Sequence, residues 1–353
     1  MTVATAAVAG TSAAPRGAGA SLYRIVYRDA AGAIHLDWPL ERLGEVMADT
    51  SGFFWIDIED RPTGPDPGVE ALMRDVFRFH PLAIEDALKD CHVPRVDDWG
   101  DYLYIVFHSI DFDPETDHLR LHEVDIFLGR NYVLTYHTEP LGFLENDRRN
   151  IERDPVNRMR HGADHLLYRF LDAAVAEFIP AIEHLDEAID NAQEEVFHSP
   201  GPETLQTIFR VKRSALKVHR AISPQRELLN RLARDSYDPI RDDHRVYFRD
   251  VYDHLVRIHD LTESLRDLVS GALDTYLSAI SNRTNDIMKT LTIVTVMFLP
   301  MSFLTGFFGM NFFGETLAFP EPLPRGLMFV STCMVMSLGF FLLGWVARKR
   351  NWI

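Results

Sequence analysis

Two stretches of this sequence run for about twenty residues without a charge, Thr290 to Gly309 and Gly326 to Ala347. At 1.5 Å per residue a helix of that length spans the roughly 30 Å hydrocarbon core of a bilayer. Runs this long and apolar need either a very large protein core or lipid, and lipid is the simpler reading. Residues 310–325 join them, so the pair is expected to form a membrane hairpin, with Arg348, Lys349 and Arg350 closing the chain.

The rest of the chain is water-facing. A mean hydropathy of -0.10 in a chain with two spans requires a large charged remainder. The 353 residues suggest two or three units, and 46% hydrophobic residues are enough for a soluble core as well as the spans. A net charge of -16 argues against nucleic acid, which is held by Lys and Arg on phosphate, and favours cations. Cys91 and Cys333 fall in a soluble region and within the second run, so no disulfide framework is expected. Residues 1–20 are small and Ala-rich but lack a basic n-region and a Leu-rich h-region, and are read as a disordered tail rather than a signal peptide.

Residues 21–160 read as a mixed α/β domain. Alternating segments LYRIVYRD, AIHLDW and FFWIDIED predict strands, as do Tyr102 to Phe112, His118 to Leu128 and Tyr132 to His137. Val69 to Phe77 and Pro81 to Leu88 predict short helices. From about His161 to Lys289 the texture is long helix. Leu166, Phe170, Ala173, Ala174, Phe178, Ile182, Leu185 and Ile189 make one apolar stripe; Leu205 to Arg234 predicts a second helix, antiparallel to it, with a kink at Ser223-Pro224. A third pattern begins near Arg245 and meets no proline before Pro300, so the first span is the end of a stalk roughly 95 Å long. Arg283 and Lys289 before the first span and the basic tail after the second outnumber Arg325 in the loop, which puts both termini in the cytoplasm.

A lone hairpin encloses no aqueous path, so transport requires several copies. Steps of three and four along the stalk pick out Ser278, Ser281, Asn285, Met288, Thr292, Thr295, Leu299, Ser302, Gly306 and Gly309. All but Met288 and Leu299 are Ser, Thr, Asn or Gly, and none is charged. Small residues at this spacing also mediate helix packing in membranes, and periodicity alone leaves packing and pore lining open. For Mg²⁺, which gives up water reluctantly, hydroxyls and amides can contact the hydrated ion without trapping it as carboxylates would.

The triplet Gly309-Met310-Asn311, preceded by SNRTNDIMKTLTIVTVMFLPMSFLTGFFG and set in a two-span hairpin with a basic tail, resembles the CorA family of divalent-cation transporters and channels. FHPLAIEDALKDCHVPRVDDWGDYLYIVF is similar to the family's cytoplasmic signature, and YFRDVYDHLVRIHDLTESLRDLVSGALDTYLSAISNRTN to its stalk helix. The resemblance implies an α+β membrane protein: a funnel-shaped homopentamer with an αβα cytoplasmic domain, coiled-coil stalk helices and two C-terminal spans in the cell (inner) membrane. Residues 290–309 would line the pore, 326–347 form the second span and 348–353 return to the cytoplasm. Gly309, Met310 and Asn311 would form the outer selectivity ring. Asn285, Met288, Leu291, Leu299 and Ser302 match family pore positions, and all but Leu291 lie on the stripe.

The resemblance also implies gating by intracellular Mg²⁺ held between neighbouring cytoplasmic domains. Asp86 in IEDAL, Asp250 in FRDVYD and Asp274 in ALDTYL match carboxylates of those sites, with Glu85 and Asp253 as outer members. In place of the family's acidic MPEL-type continuation after the triplet stands FFGETLAFPEPLP, where Glu315 and Glu321 remain to concentrate cations. The expected cargo is Mg²⁺, with Co²⁺ or Ni²⁺ as further ions. Two rivals stand beside this: a Zn²⁺ transporter of the ZntB branch, and a non-transporting coiled-coil signalling protein. No Gly-rich phosphate loop, HExxH pair or nucleophile elbow is present, so no enzyme is indicated. The histidines suggest no ligand set: His118 and His122 read as surface or packing residues, and His254 and His259, five apart, do not share a helix face.

Overall fold

The computed structural model describes residues 22–49, 51–60, 66–89, 93–113, 118–309 and 325–349. The first part of the chain forms β1 (Leu22–Arg28), β2 (Ile34–His35), α1 (Leu43–Ala48), β3 (Phe53–Glu59), α2 (Pro67–Ala71), which runs into a π-helical turn at Leu72–Val76, α3 (Pro81–Ala87), β4 (Arg95–Asp98), β5 (Tyr102–Asp113), β6 (His118–Gly129) and β7 (Tyr132–His137). The helical part follows as α4 (Gly142–Arg153), α5 (Pro155–Arg158), α6 (Ala163–Ala176), α7 (Phe178–His198), α8 (Pro202–Arg234), α9 (Arg245–Gly309) and α10 (Arg325–Lys349). Two compact units result: Met1–Ala192 with Gln206–Gly271, and Gln193–Leu205 with Ala272–Ile353.

In the first unit seven strands form one sheet in the order β2-β1-β3-β7-β6-β5-β4. β3 pairs parallel with β7, and the other pairs are antiparallel. The two-residue alternation divides each strand between two cores. Ile56 and Ile58 of β3 and Tyr104 of β5 pack with Leu43, Val69 and Ile84 from α1, α2 and α3. Phe53 and Trp55 of β3, with Leu103, Ile105 and Phe107 of β5, pack with α4, α6, α7, α8 and the start of α9. Helices on both faces of a sheet make three layers, the αβα arrangement expected for this domain.

A buried polar chain crosses the centre of the sheet. Trp55 Nε1 donates to Thr135 Oγ1 at 3.0 Å, and that hydroxyl donates to Asp57 Oδ1 at 2.6 Å, 3.1 Å from His137 Nε2. Burial alone would raise the Asp57 carboxyl, but the adjacent imidazole and hydroxyl hold it below the ordinary range.

Four features differ from the sequence reading. β4 (RVDD) is a short edge strand, and α4 and α5 occupy a charged stretch with few apolar residues. The stripe from Leu166 to Ile189 is divided between α6 and α7 at Glu177. The backbone N–H of Phe143, in the first turn of α4, bonds the Glu177 carboxylate, so the break places an acid at a helix N-terminus. α8 runs unbroken through Pro224, where the neighbouring Gln225 Nε2 donates to Ala221 O at 3.0 Å.

Burial, and then the Asp111 carboxylate, push the Glu177 carboxyl up to about 7. Between its ordinary range and that value the folded chain keeps a proton that the unfolded chain has released, so Glu177 lowers stability as pH rises through this window. Glu177→Gln is therefore expected to raise Tm at pH 8 and to change it much less at pH 5. Equal shifts at both pH values would show that Glu177 is ionised throughout.

Candidate ion path and carboxylate sites

α9 is a single helix of 65 residues. Phe248, Val251, Leu255, Ile258, Thr262, Leu265, Val269, Ala272 and Tyr276 are all buried, and they follow strict steps of three and four. That is the seam of a coiled coil, on which the helix packs for its first half. Two residues further round, about 200° away at 100° per residue, lies a second series in the same repeat. It reads Asp250, Asp253, Arg257, Asp260, Ser264, Asp267, Gly271, Asp274 and Ser278, every one exposed. The same steps continue through Ser281, Asn285, Met288, Thr292, Thr295, Leu299, Ser302, Gly306 and Gly309, also exposed. The candidate pore stripe thus continues, at the same spacing, the series that holds three of the candidate regulatory carboxylates.

The span itself is held differently. An 18-residue window of α9 has a mean hydropathy of 1.8 and none of it is buried within the chain. Ile293, Met297, Met301 and Leu304 are partly covered, and a Cβ at Gly344 of α10 would meet Met297 Cε at 3.6 Å. These four residues lie on the side of α9 away from the stripe, and α10 reaches Met297 there. Met288 and Leu299 remain 60% and 64% exposed within the single chain. Leu291, 65% exposed, flanks it.

Three of the stripe hydroxyls share an orientation. Thr292 Oγ1 donates to Met288 O at 2.7 Å and Thr295 Oγ1 to Leu291 O at 2.8 Å, and Ser278 Oγ bonds Asp274 O at 2.9 Å. A hydroxyl whose proton is spent on the i−4 carbonyl keeps its lone pairs free outward. Water bound to a cation points its hydrogens outward and needs acceptors of that kind. α9 ends at Gly309, where the last carbonyls lack intrahelical partners and the helix dipole is negative. Met310 and Asn311, with Glu315 and Glu321, lie outside the described residues.

The carboxylates expected from α3 are engaged within the chain. Asp86 Oδ2 accepts from Arg95 Nη2 at 2.6 Å, and Arg95 Nε also reaches Asp97 Oδ2 at 2.9 Å. Glu85 pairs with Lys89, which holds its carboxyl below the ordinary range. Among the described residues, no group of three metal-ligating side chains includes Asp86, Asp250, Asp253 or Asp274. The group that does converge is His219, His259 and Glu263, which the sequence reading did not find. His259 and Glu263 stand four apart on α9, a signal present in the sequence, but their third member comes from α8. His122 instead pairs with Glu139 at 2.9 Å.

Fold and helix faces together define a protein with a layered αβ domain continued by one long helix into a membrane-length apolar segment. The family described as CorA-like Mg²⁺ transporter protein matches residues 50–349, and the chain belongs to it. It is 36% identical over 283 residues to the cobalt/magnesium transport protein CorA of Thermotoga maritima, covering 79% of this chain and 78% of that one. The putative metal ion transporter YfjQ of Bacillus subtilis is 34% identical over 276 residues, 78% of this chain and 82% of that one. The complete structure of the CorA magnesium transporter from Methanocaldococcus jannaschii superposes with a TM-score of 0.77 at 20% identity, covering 93% of this chain and 98% of that one. The chain is thus a divalent-cation transporter of the CorA family, a family of membrane transporters and not of enzymes.

Proposed function

We propose that this chain moves hydrated Mg²⁺, with Co²⁺ and Ni²⁺ as further substrates, along a path enclosed by copies of α9 around an axis. The carrying observation is the exposed polar face of α9, which keeps one repeat from Asp250 to Gly309. A monomer that buries its seam and covers the near side of its span with α10 has that face left for its neighbours. Five copies, as the family resemblance implies, would make a funnel with the stripe inward, α10 as the second span in lipid, and both termini in the cytoplasm of a cell (inner) membrane.

The path is neutral from Ser278 to Gly309. Threonine lone pairs receive the hydrogens of the ion's water shell, while Met288 and Leu299 form apolar rings that gate by excluding water. Gly309, Met310 and Asn311 select at the outer end, where Asn311 amide oxygens hold the hydrated ion below the negative helix ends. The membrane potential supplies roughly 4.6 kcal/mol per 100 mV to a double charge, from about 2.3 per unit charge.

Gating follows from the carboxylates of the same repeat. Asp250 and Asp253 of one copy meet Asp86 and Glu85 of the next, and Asp274 sits further along the stalk toward the span. Facing carboxylates repel until a divalent ion bridges them, so high internal Mg²⁺ closes the ring and low Mg²⁺ releases it. Arg95 modulates this sensor: it already neutralises Asp86, and Mg²⁺ must compete with it.

Flux into liposomes tests the cargo. Mg²⁺ uptake is expected from the wild type and loss of selective uptake from Asn311→Ala with the oligomer intact; Zn²⁺ flux without Mg²⁺ flux would favour the ZntB-like reading, and no divalent flux would overturn transport by this path. For regulation, neutralising Asp86 and Asp250 is expected to weaken inhibition by internal Mg²⁺. Arg95→Gln shifts inhibition the other way, to concentrations up to about fivefold lower, since a half-exposed ion pair is worth about 1 kcal/mol or less. Wild-type inhibition in both variants would move the sensor elsewhere.

A further inference from the structure

Away from the ion path, His219 on α8 and His259 with Glu263 on α9 offer one ligand atom each, all within 4.8 Å of one another. The three side chains are half-buried where α8 packs on α9. The two imidazole centroids are 5.3 Å apart, and His219 Nδ1 lies 3.1 Å from Glu263 Oε1. Neither His219 Nδ1 nor His259 Nδ1 makes a hydrogen bond, although both atoms are buried. Asp260 Oδ1 approaches His259 Nδ1 only to 3.7 Å. Arg266 Nη1 donates to Glu263 Oε1 at 3.1 Å, which fixes the carboxylate and leaves it lone pairs to share.

The two imidazoles, one at ion-pair distance from Glu263 and the other with a buried nitrogen that makes no hydrogen bond, stand with that arginine-held carboxylate inside 4.8 Å. They form a donor set for a borderline dication, the two-His, one-Glu combination that zinc accepts. Nitrogen donors do not suit Mg²⁺, which takes oxygen ligands and keeps its water. Ligands on a tetrahedral ion with bonds near 2.1 Å stand about 3.4 Å apart. Small χ rotations of roughly 1 Å at the ligand atoms bring the present group to that spacing. We propose that His219, His259 and Glu263 bind a transition-metal dication of the Zn²⁺ class, clipping α8 to the helix that continues into the span. The site is independent of the transport reading and would stand if that reading failed.

The test uses the full chain in detergent with Mg²⁺ in large excess, so that oxygen sites are occupied. Zn²⁺ titrated calorimetrically is expected to bind the wild type and to raise its apparent Tm. His219→Gln and His259→Gln each remove this binding or weaken it at least about tenfold, Glu263→Gln weakens it, and His198→Gln, at an exposed histidine, leaves it unchanged. Nitrogen couplings in the electron paramagnetic resonance spectrum of Cu²⁺-loaded wild type report two imidazoles without recourse to any variant. Zn²⁺ stoichiometry and Tm shift that persist in both His variants, or Cu²⁺ bound by oxygen donors alone, would overturn the site.

Discussion

Everything in this molecule depends on how α9 divides its surface. Nine residues from Phe248 to Tyr276 repeat at three and four and are buried. A helix with so regular a seam cannot choose what its opposite face presents, because the 3.5-residue repeat fixes that face as well. The seam secures the helix to its own domain. The other face then carries Asp250, Asp253 and Asp274 in the soluble part, and hydroxyls, amides and glycines in the apolar part, without any change of register. The proposed sensor and path therefore follow one repeat along α9, and a rotation of the helix would move both.

The chemical difference between those lengths has an electrostatic reason. In the soluble part carboxylates are solvated and can wait for an ion. In the span a ring of carboxylates would be costly without a cation and would hold one too firmly with it. Threonines whose protons are already given to i−4 carbonyls present acceptors without net charge. Asp86 adds a further adjustment, since its partner Arg95 lowers the local negative charge that Mg²⁺ would otherwise find.

Much of the fold was legible. FFWIDIED and YLYIVF read as strands of a partly buried sheet, and the structure buries both faces of each; the seam of α9 can be read directly from its apolar spacing. What escaped has physical causes. β4 is RVDD, an edge strand with one buried residue and no alternation to display. α4 is half charged and α5 is a single turn, so neither shows an apolar pattern of its own. The break between α6 and α7 falls just before Pro180, which has no N–H for the Ala176 carbonyl, a signal passed over because the apolar stripe continues across it. At the site, the stripe was legible from periodicity, but choosing between packing and pore lining required knowing which side α10 covers. His219, His259 and Glu263 were missed because forty residues separate the first two and only the α8–α9 packing joins them.

The central claim is that the stripe, and not another side of α9, faces the ions. Single cysteines at Ser302 and at Val294, in a background without Cys91 and Cys333, separate the possibilities when a membrane-impermeant thiol reagent is applied during Mg²⁺ flux in liposomes. Val294 is 46% exposed but lies well round the helix from the stripe. Block at Ser302→Cys, with flux through Val294→Cys untouched, is the outcome this account predicts. Block at Val294→Cys with none at Ser302→Cys would contradict it.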